Sequence, residues 1–272
     1  TENLFYKIVR FITRPKQIIN HKKVSLVNFL MNNFNKDFNP KYIFVNTKKK
    51  YLINRKRWKK TKVYRIHSWD GSKCINYQKK KKLKSKKVAT YLSAFSTNSA
   101  SDSAYYNTLR LENSLKVLNS IDKFFNHLEK KFKLNIKIAK HPREENNLNS
   151  PIYKSNKRFN SKNLTRDLVS NSNIIITTMS SAISYAALFA KPLLFIITNE
   201  HHKNISLISY TKALAEHLKS DLVNIDSNKN YKLNLKLNNI TKKKYKLFIK
   251  NYLISDQFKQ KSNNQILAKL FI

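Results

Sequence analysis

Glycine and cysteine are almost absent: the 272 residues include one of each, Gly71 and Cys74. Glycine-rich phosphate loops need several residues without a Cβ, so both the G-x-G-x-x-G loop and the P-loop are excluded. A bound phosphate must instead meet hydroxyl groups, cationic side chains and the backbone N–H groups of helix N-termini. A single cysteine excludes disulfide frameworks and cysteine-based zinc sites, and it favours a reducing, intracellular compartment.

Acidic residues are also scarce, since 15 Asp and Glu stand against 55 Lys and Arg and give a formal net charge of +40. The first 100 residues hold 26 of these cations and 3 of the acids. Such a field attracts nucleic acid, anionic lipid or an acidic polysaccharide. Lys, Asn and Ile are abundant together, which is typical of AT-rich coding, so the charge alone does not decide among these partners.

Long apolar runs are missing as well. The most apolar stretch, residues 173–198, is rich in Ser and Thr and is interrupted by Lys191-Pro192. A membrane-spanning helix needs about 20 mostly apolar residues without such a break. We therefore interpret the stretch as strand, helix and strand. Residues 1–14 lack the pattern of a secretory signal, and we expect a cytoplasmic protein that can lie peripherally on the inner membrane face.

From residue 88 onward, strand patterns alternate with helix patterns. Apolar residues at spacings of three and four predict a long helix over 111–132, and shorter helices are expected near 164–169, 181–190 and 205–218. This alternation predicts an α/β fold with a mainly parallel sheet. The predicted strands are Val88–Ser93, Asn135–Ala139, Asn173–Thr177, Leu193–Ile197 and Leu222–Ile225.

Three regions are expected along the chain. Residues 1–100 form a short, basic N-terminal lobe, with strands at Lys41–Asn46 and Lys62–His67 between Lys- and Arg-rich clusters. Residues 101–240 form a Rossmann-like lobe, and 241–272 form closing helices.

Two polar segments follow predicted strands, where parallel sheets bind their ligands. His141-Pro142-Arg143 follows the strand ending at Ala139, and His and Arg side chains both donate to phosphate oxygens. The alternative is a surface loop in which Arg143 pairs with Glu144 or Glu145. Thr178, Ser180 and Ser181 precede a helix and indicate an anion site at its N-terminus. Ordinary N-capping is the alternative there.

The runs KIAKHPRE, TRDLV, SSAISYAALFAKPLLFI and VNID, with RIHSWD upstream, resemble bacterial capsule and surface-polysaccharide biosynthesis proteins. More distantly, they resemble polysialyltransferases and bacterial sialyltransferases of the two-lobed GT-B fold. The resemblance covers roughly residues 41 to 226. It implies a glycosyltransferase that uses a CMP- or UDP-linked sugar donor and a glycan acceptor, without a further cofactor. It also implies that His141-Pro142 and Ser180-Ser181 bind the donor.

A general base is harder to locate. Such enzymes usually present an acidic base from the N-terminal lobe, but Ala94-Phe95-Ser96-Thr97 stands where we expected it. Asp70 and His67 of the HSWD segment are the remaining candidates, and the alternative for Asp70 is a cap on the following turn. The adjacent His201 and His202 diverge, so no metal site is expected.

The competing interpretation of the chain is a non-enzymatic basic protein that binds nucleic acid or belongs to a ribonucleoprotein. The near absence of glycine argues against an RNA-recognition motif.

Overall fold

The computed structural model describes residues 40–77, 87–93, 111–140, 158, 165–203, 205–227 and 235–271, with the backbone alone for 111–115 and 206. The chain divides into two compact units. The smaller takes in the described residues 40–44 and 51–64. The larger takes in 45–50 and the described residues from 65 onward.

The larger unit is built on a five-stranded sheet in which all neighbouring strands are parallel. Its strands are β3 (Val88–Leu92), β4 (Asn135–Ala139), β5 (Ile174–Thr177), β6 (Leu193–Ile197) and β7 (Asp221–Asn224). Their order in the sheet is β4-β3-β5-β6-β7, so the predicted α/β class with a parallel sheet is confirmed. The chain runs from β3 outward to β4 and then returns to β5 on the other side of β3, which places a topological switch between β3 and β5.

Two apolar cores cover the two faces of this sheet, because successive strand side chains point to opposite sides. One core joins Ile136, Ile138 and Ile176 to the buried side of α3 (Leu111–Phe132). The other joins Ile175 and Phe195 to the remaining sheet-covering helices. Those helices are α4 (Thr165–Asn171), α5 (Ile183–Leu188), α6 (Ile205–Leu218) and α7 (Asn239–Phe248).

Arg158 protects the edge of the sheet at β4. Its carbonyl oxygen accepts a hydrogen bond of 2.9 Å from the Ile138 N–H. Its guanidinium is 4% exposed and forms ion pairs of 2.6 Å with Asp122 and 2.7 Å with Glu129 on α3. Burial alone would lower the pKa of Arg158, but the two carboxylates outweigh it and the pKa is raised. An otherwise open row of backbone groups is thereby covered at this position.

Three helix ends adopt left-handed backbone without glycine. Lys133, Ala190 and Lys219 have φ of 53°, 49° and 51°, and they follow the ends of α3, α5 and α6. Glycine is the usual residue at this cap position because a Cβ is disfavoured there. The shortage of glycine therefore leaves local strain at these helix ends.

The end of the chain binds residues 65–72. After α7 come a π-helical turn (Ile249–Leu253), a 3₁₀ turn (Asp256–Phe258) and the last helix, α8 (Asn263–Phe271). The buried Arg65 donates to the carbonyl oxygens of Lys250 and Ile254. Asn263 exchanges hydrogen bonds of 3.0 and 3.1 Å with the backbone of His67. The HSWD segment and β3 lie in the larger unit.

The smaller unit contains most of a two-stranded sheet, β1 (Tyr42–Val45) and β2 (Lys62–Arg65), as the sequence predicted for these segments. Phe44 and Tyr64 stack with ring centroids 5.8 Å apart. The Lys- and Arg-rich cluster between the strands forms a helix, α1 (Lys48–Arg57), which has no buried residue. The spacing of apolar residues in the sequence did not predict α1, because this helix lacks an apolar stripe.

Candidate active site

A pocket of about 480 Å³ opens at the carboxyl edge of the sheet. Residues that follow β3, β4 and β5 line it, so it lies at the topological switch, where parallel sheets bind ligands. A second helix, α2 (Trp69–Cys74), and the start of α4 complete the wall. The lining residues are Trp69, Asp70, Lys73, Leu92, Ser93, Ala139, Lys140, Thr165, Arg166, Ser180, Ser181, Ala182 and Tyr185.

Helix α2 is fixed at both its start and its inner face. Ser68 is its N-cap, and the Ser68 hydroxyl accepts a hydrogen bond of 3.0 Å from the Gly71 N–H. The Ser68 N–H donates to the Leu253 carbonyl oxygen at 2.8 Å. Gly71 is buried so close to the Leu253 backbone that an added Cβ would clash with the Leu253 carbonyl oxygen and lie 3.1 Å from its carbonyl carbon. The only glycine of the chain therefore stands where α2 meets the C-terminal segment.

Asp70 lies in the first turn of α2, is half-buried, and lines the pocket. It is not the capping residue, since Ser68 has that role. The Ser184 hydroxyl on α5 donates a short hydrogen bond to the Asp70 carboxylate. Burial and the adjacent Asp70 carboxylate both raise the pKa of the Tyr185 phenol, so Tyr185 remains a protonated neighbour of Asp70. Ser184 thus holds the carboxylate at the pocket wall.

Three cationic side chains, those of Lys73, Lys140 and Arg166, share the pocket with Asp70. Arg166 is the most constrained of them in its described contacts. Its guanidinium lies 4.4 Å from the centre of the Tyr77 ring, and Nη1 donates to the Lys73 carbonyl oxygen at 3.0 Å. Nε is 3.4 Å from the Asp167 carboxylate. An oriented guanidinium of this kind suits the bidentate binding of phosphate or carboxylate.

Two of the predicted donor-binding residues, Ser180 and Ser181, line the pocket. Thr178, also predicted, is 2% exposed and is not among the lining residues. The Ser180 hydroxyl accepts a hydrogen bond of 3.3 Å from the Ala182 N–H. Ala182 is the N-cap residue of α5, and no side-chain hydrogen bond caps this helix. Helix α5 has six residues rather than the ten expected for 181–190. Its dipole is correspondingly small, and hydroxyls and cations are the groups available for an anion.

His67 is placed away from the pocket in a buried position, with 1% of its surface exposed. Its Nε2 lies 2.9 Å from the carbonyl oxygens of both Phe258 and Lys261, and its Nδ1 accepts from the Ser255 N–H at 2.9 Å. Both ring nitrogens are therefore occupied in holding the C-terminal segment. Of the two candidate bases, only Asp70 lines the pocket.

His141, Pro142 and Arg143 lie outside the described residues. They directly follow Lys140, the last described residue after β4, which lines the pocket.

Sequence reasoning missed Lys73, Arg166 and Tyr185. Arg166 stands in the first turn of a helix after a polar loop, a signal shared by many surface residues. Tyr185 stands in an apolar run, which gives no signal of a polar role. Cys74 lies beside this site, and burial, followed by the Asp70 charge, raises its pKa to about 11 despite the opposing charge of Arg166.

Within the described ranges, no group of three His, Cys, Asp or Glu side chains is placed to hold a metal ion. The Nδ1 of His201 accepts a hydrogen bond of 3.0 Å from the Thr198 N–H. Burial lowers the pKa of His201 to about 4. Its imidazole is thus a neutral acceptor that caps a turn.

No helix in the described part of the chain is both long and apolar enough to cross a membrane.

Comparison with known proteins finds no matching family model, no matching curated protein and no matching solved structure. The fold and the pocket define the chain as an α/β protein with a parallel sheet and a charged site at its switch point.

Proposed function

We propose that the pocket binds a nucleotide-linked sugar and that the protein is a glycosyltransferase of surface-polysaccharide assembly, with a GT-B-like arrangement. One observation carries the proposal: a carboxylate, three cations and three serines line one pocket at the carboxyl edge of a parallel sheet. The pocket volume of about 480 Å³ falls in the range of about 300–1,000 Å³ that small-molecule sites occupy.

The proposed reaction divides these groups between two tasks. The Asp70 carboxylate accepts the proton of an acceptor hydroxyl while that oxygen bonds to the anomeric carbon of the donor sugar. The bond between the anomeric carbon and the nucleotide phosphate breaks, and the phosphate oxygen keeps the electron pair. The negative charge that develops on this leaving group is stabilised by Arg166, Lys140 and the hydroxyls of Ser180 and Ser181.

Donor binding is tested by thermal unfolding of the protein with CMP, UDP and their sugars. A ligand at 100 times its Kd stabilises the folded state by about 2.7 kcal/mol. Arg166→Ala and Ser181→Ala should weaken this stabilisation, and Lys212→Ala, an exposed residue of α6, is the matched control. If no nucleotide stabilises the wild type, or both pocket variants bind as the wild type does, the donor-site assignment is wrong.

The base is tested by turnover. Asp70→Asn keeps the shape of the side chain, so nucleotide binding should persist while transfer falls by roughly 10²–10⁴-fold. Glu216→Gln removes an exposed carboxylate of α6 and should leave the rate unchanged. Equal rates for Asp70→Asn and the wild type would remove Asp70 from the mechanism.

We extend the proposal to a cytoplasmic protein that rests on anionic lipid. Helix α1 has six cations in ten residues and no buried residue. Its Leu52 and Ile53 are 56% and 53% exposed, and such a helix suits a headgroup surface. Co-sedimentation should occur with vesicles containing phosphatidylserine and not with pure phosphatidylcholine. RNA affinity that falls steeply with salt, without vesicle binding, would favour the nucleic-acid interpretation instead.

A further inference from the structure

Trp69 is the most exposed large hydrophobic side chain among the described residues, at 69% of its surface. It also lines the pocket. An exposed tryptophan has a large apolar surface in contact with water, and at the mouth of a pocket such a surface indicates a binding role. The packing of the larger unit does not account for it, because Trp69 belongs to neither core.

The indole is held in place on one side. Nζ of Lys73 lies 4.8 Å from the centre of the Trp69 ring, one helical turn later. Helix α2 itself is anchored through Ser68, Gly71 and Leu253. A ring on an anchored helix loses little conformational freedom when a ligand stacks on it, and this favours binding.

We propose that Trp69 is the stacking platform for a pyranose ring of the acceptor glycan, an inference that rests on the proposed function. A sugar presents C–H groups on its ring face and hydroxyls at its rim, so an aromatic face beside hydrogen-bonding groups matches both. Asp70 is the next residue on α2. A ring stacked on Trp69 therefore brings its hydroxyls near the carboxylate that accepts the proton, while the donor phosphate lies with Arg166 and Ser181.

The chain contains a second tryptophan, Trp58, in the smaller unit, where it is half-buried and contacts Arg57. Trp58→Phe therefore leaves Trp69 as the single tryptophan, and Trp69→Phe leaves Trp58. Each variant is titrated with lactose, N-acetyllactosamine and α2,8-linked oligosialic acid, with CMP or UDP present. Tryptophan emission and its quenching by acrylamide are recorded.

We expect at least one glycan to change the emission of Trp58→Phe saturably and to protect it from acrylamide, with no response in Trp69→Phe. Trp69→Ala should raise the glycan Kd, and the KM for the acceptor in transfer, by about tenfold, as expected for loss of an aromatic contact. Trp69→Phe keeps a ring and should remain within about threefold. Nucleotide binding, followed by thermal unfolding, should be the same in all of them.

The outcomes separate the two proposals. If CMP or UDP stabilises the protein but no glycan alters the Trp69 emission, the stacking role is wrong and the donor site stands. A Trp69 response to nucleotide alone, without a response to glycan, also overturns it, because the ring then stacks on the base. If no nucleotide stabilises the protein, the proposed function fails and the acceptor role fails with it.

Discussion

Replacing Gly71 with alanine tests whether α2 is held by close backbone contact. The new Cβ would clash most with the Leu253 carbonyl oxygen, and it would lie 3.1 Å from the Leu253 carbonyl carbon, well inside the optimum of about 3.5–4.0 Å. Overpacking of this kind costs about 1–3 kcal/mol. Separating the two segments also weakens the 2.8 Å hydrogen bond from Ser68 to Leu253, a loss of about 1 kcal/mol.

Alanine also brings a gain, because Gly71 has no positive φ and alanine favours a helix by about 1 kcal/mol. We therefore expect Gly71→Ala to lower the free energy of unfolding in urea by about 1–3 kcal/mol. Asn76→Ala, at an exposed turn position, should change it by less than about 0.5 kcal/mol. A neutral or stabilising Gly71→Ala would show that the contact with Leu253 does not constrain α2.

Four further outcomes are expected. Arg158→Met removes the ion-pair partner of Asp122 and Glu129 and should lower the free energy of unfolding in urea by about 2–4 kcal/mol, a figure reduced for the partial exposure of the two carboxylates. A change below about 1 kcal/mol would contradict the role of Arg158 at the edge of the sheet. His201 has a folded pKa of about 4, below its unfolded value, so its neutral form stabilises the folded protein above pH 6.5. About 3 kcal/mol of the free energy of unfolding is lost as the pH falls to 4. His201→Gln should lack this dependence of stability on pH in urea titrations between pH 7 and 4. Alkylation of Cys74 by iodoacetamide should keep accelerating towards pH 11, and a plateau near pH 9 would refute the raised pKa. Lys219→Gly relieves a left-handed residue and should raise stability to heat or urea by about 0.5–1 kcal/mol, whereas a loss would mean that the φ of 51° carries no strain.

The strands and helices of the larger unit were predictable because their apolar residues repeat with a clear period. The strand at Asn135–Ala139 and the helix at Ile205–Leu218 begin and end as predicted. Helix α1 was not predictable on this basis, because it buries no side chain and needs no apolar stripe. The pairing of β3 with β4 and β5 was not predictable either, because sequence patterns do not show which strands are neighbours.

The candidate site was predictable where it depends on the ends of strands. Ser180 and Ser181 line the pocket because they follow a parallel strand. The role of His67 was beyond sequence reasoning, since its partners Ser255, Phe258 and Lys261 lie nearly 200 positions away. A histidine beside an aspartate suggests acid–base chemistry in a sequence, but hydrogen bonds to distant backbone decide whether its nitrogens are available.

A chain without glycine-rich loops must orient its anion-binding groups by packing side chains, and Arg166 illustrates this. A glycine-rich loop presents backbone N–H groups that the fold already holds in place. Here the Tyr77 ring and the Lys73 carbonyl oxygen hold the guanidinium instead. Arg55 also lies over an aromatic ring, that of Tyr51, but on an exposed helix, where water and salt weaken its attraction for an anion. The net charge of +40 therefore does not locate the site. The partly enclosed and oriented guanidinium of Arg166, in the same pocket as Asp70, indicates a pocket suited to an anionic ligand.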